Sequence, residues 1–134
     1  MNVQCFVSCG AVVMHGGKIL LVRDKTGTKW GLPMGEPEAG ETEEETAKRE
    51  ILEETGLTVH IKKGFRETAQ FKYLRENKPA EKNMVIFCAE TTTEKYSANN
   101  QELADIGWFD PKQLATLDVY PEARTIITKA VNYS

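Results

Sequence analysis

Glu50, Glu53 and Glu54 place three carboxylates within five residues. A helix turns about 100° per residue, so positions three and four apart share a face. On a helix these three acids crowd into one narrow arc. Like charges at such spacings cost an isolated helix roughly 0.2–0.5 kcal/mol per pair. A hard divalent cation turns that repulsion into a binding site, because Mg²⁺ takes carboxylate and water oxygens. The plain alternative is a solvated acidic face that binds nothing.

Local signals support the helix. Thr42 followed by Glu45 forms a capping-box pattern. Glu43, Glu44 and Glu45 fall in the first turn, where the helix dipole favours negative charge. Gly56 suits the left-handed position that ends a helix. Ala47 and Ile51, four apart, supply part of a buried stripe, with Leu52 on a second side. Arg49 has Glu45 and Glu53 at i−4 and i+4 and is placed to clamp both.

The stretch Gly35, five residues, Glu41, seven residues, Arg49-Glu50-Ile51, one residue, Glu53-Glu54, one residue, Gly56-Leu57 resembles the Nudix box, with every specified position filled. The resemblance implies a loop–helix–loop that binds Mg²⁺ or Mn²⁺ and hydrolyses a nucleoside diphosphate linked to a further group. It makes Glu50, Glu53 and Glu54 metal ligands, with help from the Gly35 backbone, and has Arg49 and Glu41 brace the loop. The family often has Gly-Gly after Leu-Pro; this chain has Leu32-Pro33-Met34-Gly35. Met34 therefore bears on substrate choice.

Composition fits that reading. A length of 134 residues suits one domain, 1–134, with the box at 35–57. From Glu36 to Glu54 there are nine acidic and two basic residues, net −7, while the rest of the chain carries net +4. An acidic pole on a mildly basic body suits a cation-bridged polyphosphate. It does not suit broad nucleic-acid coating, although an RNA 5′ end stays compatible. No apolar run reaches the roughly 18 residues a membrane span needs, and no signal-peptide pattern opens the chain. Cys5, Cys9 and Cys88 are odd in number and lack a CxxC spacing. A reduced, cytoplasmic protein is expected, and a zinc site built from them with His15 has poor ligand spacing.

The remaining elements must position the acids. Cys5–Met14 and Lys18–Arg23 read as a hairpin turning at His15-Gly16-Gly17. After the helix, Leu57–Ile61 begins a strand running towards Ala69. Phe71–Leu74 and Asn83–Glu90 bracket a polar hairpin loop, Arg75–Lys82. Ala104–Phe109 is a short strand, Asp110-Pro111 starts a short helix, and Tyr120–Val131 reads as a final amphipathic helix. This order predicts a mixed β-sheet between helices. The Nudix resemblance implies the same α/β/α sandwich.

Pyrophosphate hydrolysis needs neutralised phosphate oxygens, an aligned water and a proton acceptor. Glu50, Glu53, Glu54 and Glu102 are the candidate acceptors; the family resemblance suggests Glu102, six residues before Trp108. No Ser/His/Asp arrangement is apparent. Arg23, Lys29, Lys78 and Lys82 are candidate phosphate contacts. Tyr73, Phe71 and Tyr120 are candidate base-stacking groups, while Trp30 and Trp108 fit the core equally well. A second stretch, from Gly64-Phe65-Arg66-Glu67 through Phe71-Lys72-Tyr73 and Asn77-Lys78-Pro79 to Val85-Ile86-Phe87, resembles the asymmetric dinucleoside tetraphosphate hydrolases. That resemblance implies that Tyr73 holds the substrate, that Lys78 or Lys82 holds the phosphates, and that diadenosine tetraphosphate yields ATP and AMP. Competing readings are a modified nucleoside triphosphate, an RNA 5′ end, ADP-ribose, or a nucleotide sensor that does not cleave.

Overall fold

The structure, a computed structural model, describes residues 3–25, 27–97 and 103–133. The elements are β1 (Gln4–His15), β2 (Lys18–Asp24), β3 (Trp30–Gly31), β4 (Met34–Gly35), α1 (Glu43–Thr55), β5 (His60–Arg75), β6 (Lys78–Glu90), β7 (Leu103–Phe109), a 3-10 helix (Pro111–Ala115) and α2 (Pro121–Val131). The seven strands form one mixed sheet in the order β3-β2-β1-β6-β5, with β4 added to β1 and β7 to β2. β1 and β6 run parallel; the other pairs are antiparallel.

Alternation along the strands gives the sheet two apolar faces. Cys9, Ala11 and Val13 of β1, with Leu20 and Val22 of β2, pack under α1 through Ala47 and Ile51. Val12, Ile19, Leu21 and Ile86 point the other way and pack against Ile126, Ile127 and Ala130 of α2. The expected sandwich, a mixed sheet between helices, is thus present. Leu52 lies outside both cores at 50% exposure. Thr46 and Thr55 complete the buried side of α1, each hydroxyl bonded to a helix carbonyl, Thr42 O at 3.0 Å and Ile51 O at 2.6 Å. Cys9 and Cys88 belong to opposite cores, which separates two of the three thiols across the sheet.

The β5–β6 hairpin differs from its sequence reading. β5 is one long strand with an irregularity between Ile61 and Arg66, and Arg75 pairs with Lys78. Most of the polar segment 75–82 is therefore strand. The turn is only Glu76-Asn77, both at positive φ, 53° and 63°. Alternating polar residues conceal this strand in the sequence.

One close approach shapes the site. β1 pairs with β2 at Met14 and His15, then with β4 at Cys9 and Gly10. A Cβ on Gly10 would lie 2.1 Å from Pro33 O. The bare glycine lets the segment before the acidic loop lie directly on β1.

Arg49 shapes the loop that follows. Its Nε and Nη2 donate to the two Glu41 oxygens at 2.6 and 3.0 Å. Nη2 also donates to Glu36 O at 2.9 Å. Glu41 Oε1 further accepts the Glu38 N–H and the Thr46 hydroxyl, at 2.8 and 2.9 Å. These donors, Arg49 foremost, hold the Glu41 pKa down at about 2. Glu45 does not meet Arg49; its carboxylate accepts the Thr42 N–H at 2.8 Å and completes the capping box. Arg66 of β5 grips Glu43 through two bonds of 2.9 Å, tying the first helical turn to the sheet.

Two outcomes are expected. Replacing Glu76-Asn77 by Asn-Gly relieves a glutamate held at positive φ and should raise stability by about 1 kcal/mol in urea unfolding; an unchanged midpoint would contradict the turn. Glu41 has a depressed folded-state pKa, so its contribution is full above the unfolded value of 4.5 and is lost as pH falls through about 2. The melting-temperature advantage of the wild type over Glu41→Gln should be constant near neutrality, shrink below pH 4.5 and vanish near pH 2. A pH-independent difference would contradict the brace.

Candidate active site

The acidic cluster is organised around one guanidinium. Arg49 Nη1 donates to Glu50 Oε1 at 2.9 Å and reaches both Glu53 oxygens at 3.3 Å. Glu38 lies 3.7 Å away. Glu50 is the enclosed member, its side chain 17% exposed, whereas Glu53 is 55% exposed. Burial pushes the Glu50 pKa up, with Arg49 pulling it back down.

Gly35 fits this arrangement sterically. A Cβ there would meet the Glu50 carboxyl carbon at 2.0 Å. The missing side chain lets the Glu50 carboxylate lie against the loop backbone, in a cradle that any other residue would fill. Glu50, Glu53 and Glu54 provide the hard oxygen donors a divalent ion prefers. Among the described residues, however, no three acids, histidines or cysteines converge on a common point. Here the Arg49 guanidinium occupies the position between Glu50 and Glu53. The donor chemistry and the Gly35 cradle fit a hard divalent ion, and the exposed Glu53 is the carboxylate with room to turn towards one.

Glu54 also lines a cleft of about 380 Å³ on the α2 face of the sheet, within the size range of small-ligand sites. Phe71 and Tyr73 of β5 form one wall, their rings stacked at 5.9 Å and 22°. Tyr120, just before α2, meets Phe71 edge-on at 5.3 Å. Strand register explains the grouping: Phe71 and Tyr73 share a face because they are two apart, and Lys82 stands opposite Phe71. Lys82 Nζ lies 5.6 Å over Tyr73, and Lys29 Nζ 5.8 Å over Tyr120. Met34 is also in the lining. Burial, then the charges of Asp24, Asp118 and Glu122, pushes the Tyr120 phenol up. A shallower recess adjoins this cleft across Phe71 and Tyr120 and shares Lys29 and Glu122 with it.

The structure sorts the sequence candidates. Glu54, Lys29, Lys82, Tyr73, Phe71 and Tyr120 share the cleft. Arg23 does not line it; that side chain sits 5.7 Å over Trp30 and 4.0 Å from Asp105. Lys78 is exposed beside the tight hairpin turn, away from the cleft. Trp30 packs edge-on against Phe109 at 4.9 Å, and Trp108 donates to Glu94 O at 2.8 Å. Glu102 lies outside the described residues. Sequence reasoning missed Glu122, whose place at the start of α2 reads as ordinary helix-dipole pairing. It also missed Arg75, which stacks on Phe6 at 3.8 Å and meets Glu36 at 3.5 Å, linking the hairpin to the acidic loop.

Comparison with known proteins places this geometry. The NUDIX domain model matches residues 6–130. A Bacillus subtilis (strain 168) protein, named as a candidate 8-oxo-dGTP diphosphatase, is 31% identical over 115 residues, covering 86% of this chain and 72% of that one. A NUDIX-family hydrolase from Clostridium perfringens superposes with a TM-score of 0.77 at 20% identity, covering 98% of each chain. The binary complex of the C. elegans Ap4A hydrolase gives 0.75 at 22% identity, covering 92% of this chain and 93% of that one. These two structures share the fold. Hydrolases of this family generally use divalent metal ions and act on nucleotide pyrophosphate links. With the family model spanning nearly the whole sequence, the chain belongs to the Nudix hydrolases.

Proposed function

We propose that this hydrolase cleaves a dinucleoside tetraphosphate, with diadenosine tetraphosphate giving ATP and AMP, and uses Mg²⁺ or Mn²⁺. The carrying observation is that Glu54 of the acidic helix lines the same cleft as the stacked pair Phe71–Tyr73. A base on those rings places its phosphates towards the carboxylates. The adjoining recess, sharing Lys29, Phe71 and Tyr120, supplies room for a second nucleoside. Three cysteines without a pairing pattern, together with a nucleotide substrate, fit a cytoplasmic setting.

In the reaction, a water oxygen bonds to one phosphorus as the bridging P–O bond breaks, and the departing phosphate keeps the bonding pair. Glu50, Glu53 and Glu54, with the Gly35 backbone, would hold a divalent ion, which when bound would neutralise charge at the phosphates and make a water more acidic. Arg49, anchored by Glu41 and the Glu36 carbonyl, positions Glu50 and Glu53. The proton goes to one of Glu50, Glu53, Glu54 or Glu102. Lys29 and Lys82 offer charge to the phosphate chain from the two aromatic walls. Stacking on Tyr73 contributes on the order of 1–3 kcal/mol.

A second reading is a modified nucleoside triphosphate, favoured by the printed name of the Bacillus relative. Chromatography of products separates the two. Release of ATP and AMP from diadenosine tetraphosphate supports the proposal. Inactivity there, with monophosphate and pyrophosphate formed from 8-oxo-dGTP, replaces it with the second reading.

Glu53→Gln should lower kcat by at least about 100-fold, as expected when an electrostatic stabiliser of the reacting phosphates is lost, with an unchanged circular dichroism spectrum. A near-normal rate would remove Glu53 from the metal set. Tyr73→Ala should raise KM about tenfold or more while kcat changes less, the pattern of a binding contact. Collapse of kcat at constant KM would give Tyr73 a different role.

A further inference from the structure

We infer that the free edge of β5 is an interface for a second copy of this chain, whose own β5 adds antiparallel and joins the two sheets about a two-fold axis at Phe71. β5 ends the strand order and pairs only with β6. Among the described residues, the N–H and C=O of every second residue on its outer side therefore have no ladder partner. Natural sheets blunt such edges with bulges, prolines, short strands or a covering element. β5 does so only in its first part. The irregularity between Ile61 and Arg66 breaks the ladder there, and the Tyr133 hydroxyl donates to the Lys63 carbonyl inside it. From Arg66 to Arg75 the register runs unbroken, without a proline or a bulge.

This edge complements itself in one register. Side chains alternate between faces, so a two-fold normal to the sheet pairs only residues whose numbers differ by an even count. With the axis at Phe71, Glu67 faces Arg75 of the second copy, and Arg75 faces its Glu67. One step further out, Arg66 stands opposite Glu76. Between them Ala69 meets Tyr73, Gln70 meets Lys72, and the two Phe71 rings meet on the axis. Aromatic and oppositely charged pairs of this kind stabilise antiparallel ladders. Moving the axis by one residue removes them. At Gln70, Glu67 faces Tyr73 and Arg75 faces Phe65; at Lys72, two lysines oppose each other. Glu67 and Arg75 are open to a partner, their side chains 32% and 40% exposed. Glu67 already holds Lys129 at 2.8 Å, and a carboxylate has acceptor sites for a second cation. The ladder from Glu67 to Arg75 spans about 30 Å and sets the two Phe71–Tyr73 walls side by side on one face. One ladder without a second buried layer suits a reversible dimer.

The test is sedimentation velocity on the full chain, from about 1 µM to about 300 µM, without metal or nucleotide. The wild type should pass from monomer to a species of twice its mass. Glu67→Arg and Arg75→Glu should each weaken that association about tenfold or more, because each sets like charges opposite one another. The two substitutions together should restore it to within about threefold, since the pair re-forms with its signs exchanged. Circular dichroism checks that each variant is folded. Hydrogen exchange of the wild type locates the contact and serves if a variant does not fold. Amides in 67–75 should exchange more slowly at the high concentration, with those of β7 unchanged. A monomer across the whole range, a double variant as weak as the single ones, or protection confined to another element would overturn the inference.

Discussion

The site depends on one cation fixed inside a ring of acids. Arg49 donates through three nitrogens and touches Glu41, Glu50, Glu53 and the Glu36 carbonyl at once. Without it, the helix would carry like charges on one face and the preceding loop would lack its anchor. The paired contact to Glu41 has planar, bidentate geometry that lysine cannot reproduce. Because Glu41 also binds the Glu38 N–H and Thr46, the guanidinium charge becomes loop shape. Glu50 and Glu53 are left gathered but incompletely neutralised, the condition in which a divalent ion gains most from arriving.

Around that centre, the sheet has two jobs. Its α1 face supports the acidic helix through Ala47 and Ile51. Its α2 face ends in the aromatic cleft, where Phe71, Tyr73 and Lys82 are set by β5–β6 register. The switch of β1 from β2 to β4 brings Gly35 against Glu50. Arg75 then joins the halves, resting on Phe6 and pairing with Glu36. The acidic helix and the aromatic cleft are therefore adjacent by construction, through short contacts across one sheet.

The helix was legible in sequence because its determinants are local: Thr42 with Glu45, Gly56, and acids three and four apart. The bracing pair Arg49–Glu41 came from the Nudix resemblance, and the observed bonds give it a physical basis. The cleft was legible only in part. Tyr73, Phe71, Tyr120, Lys29 and Lys82 meet through strand register and the return of the chain before α2, neither of which spacing reveals. Arg23 and Lys78 looked equivalent to Lys29 and Lys82 as isolated charges. Register and a two-residue turn keep Lys78 at the hairpin tip, and Trp30 with Asp105 holds Arg23 elsewhere. Glu122 was hidden because an acid opening a helix has an adequate local explanation.

The central claim, that α1 gathers its carboxylates for a divalent ion, is tested most directly by calorimetric titration of the purified chain with Mn²⁺ and Mg²⁺, alone and with a non-hydrolysable dinucleotide. The account predicts saturable binding that tightens when the nucleotide is present. Absence of binding heat for either ion under both conditions would contradict it.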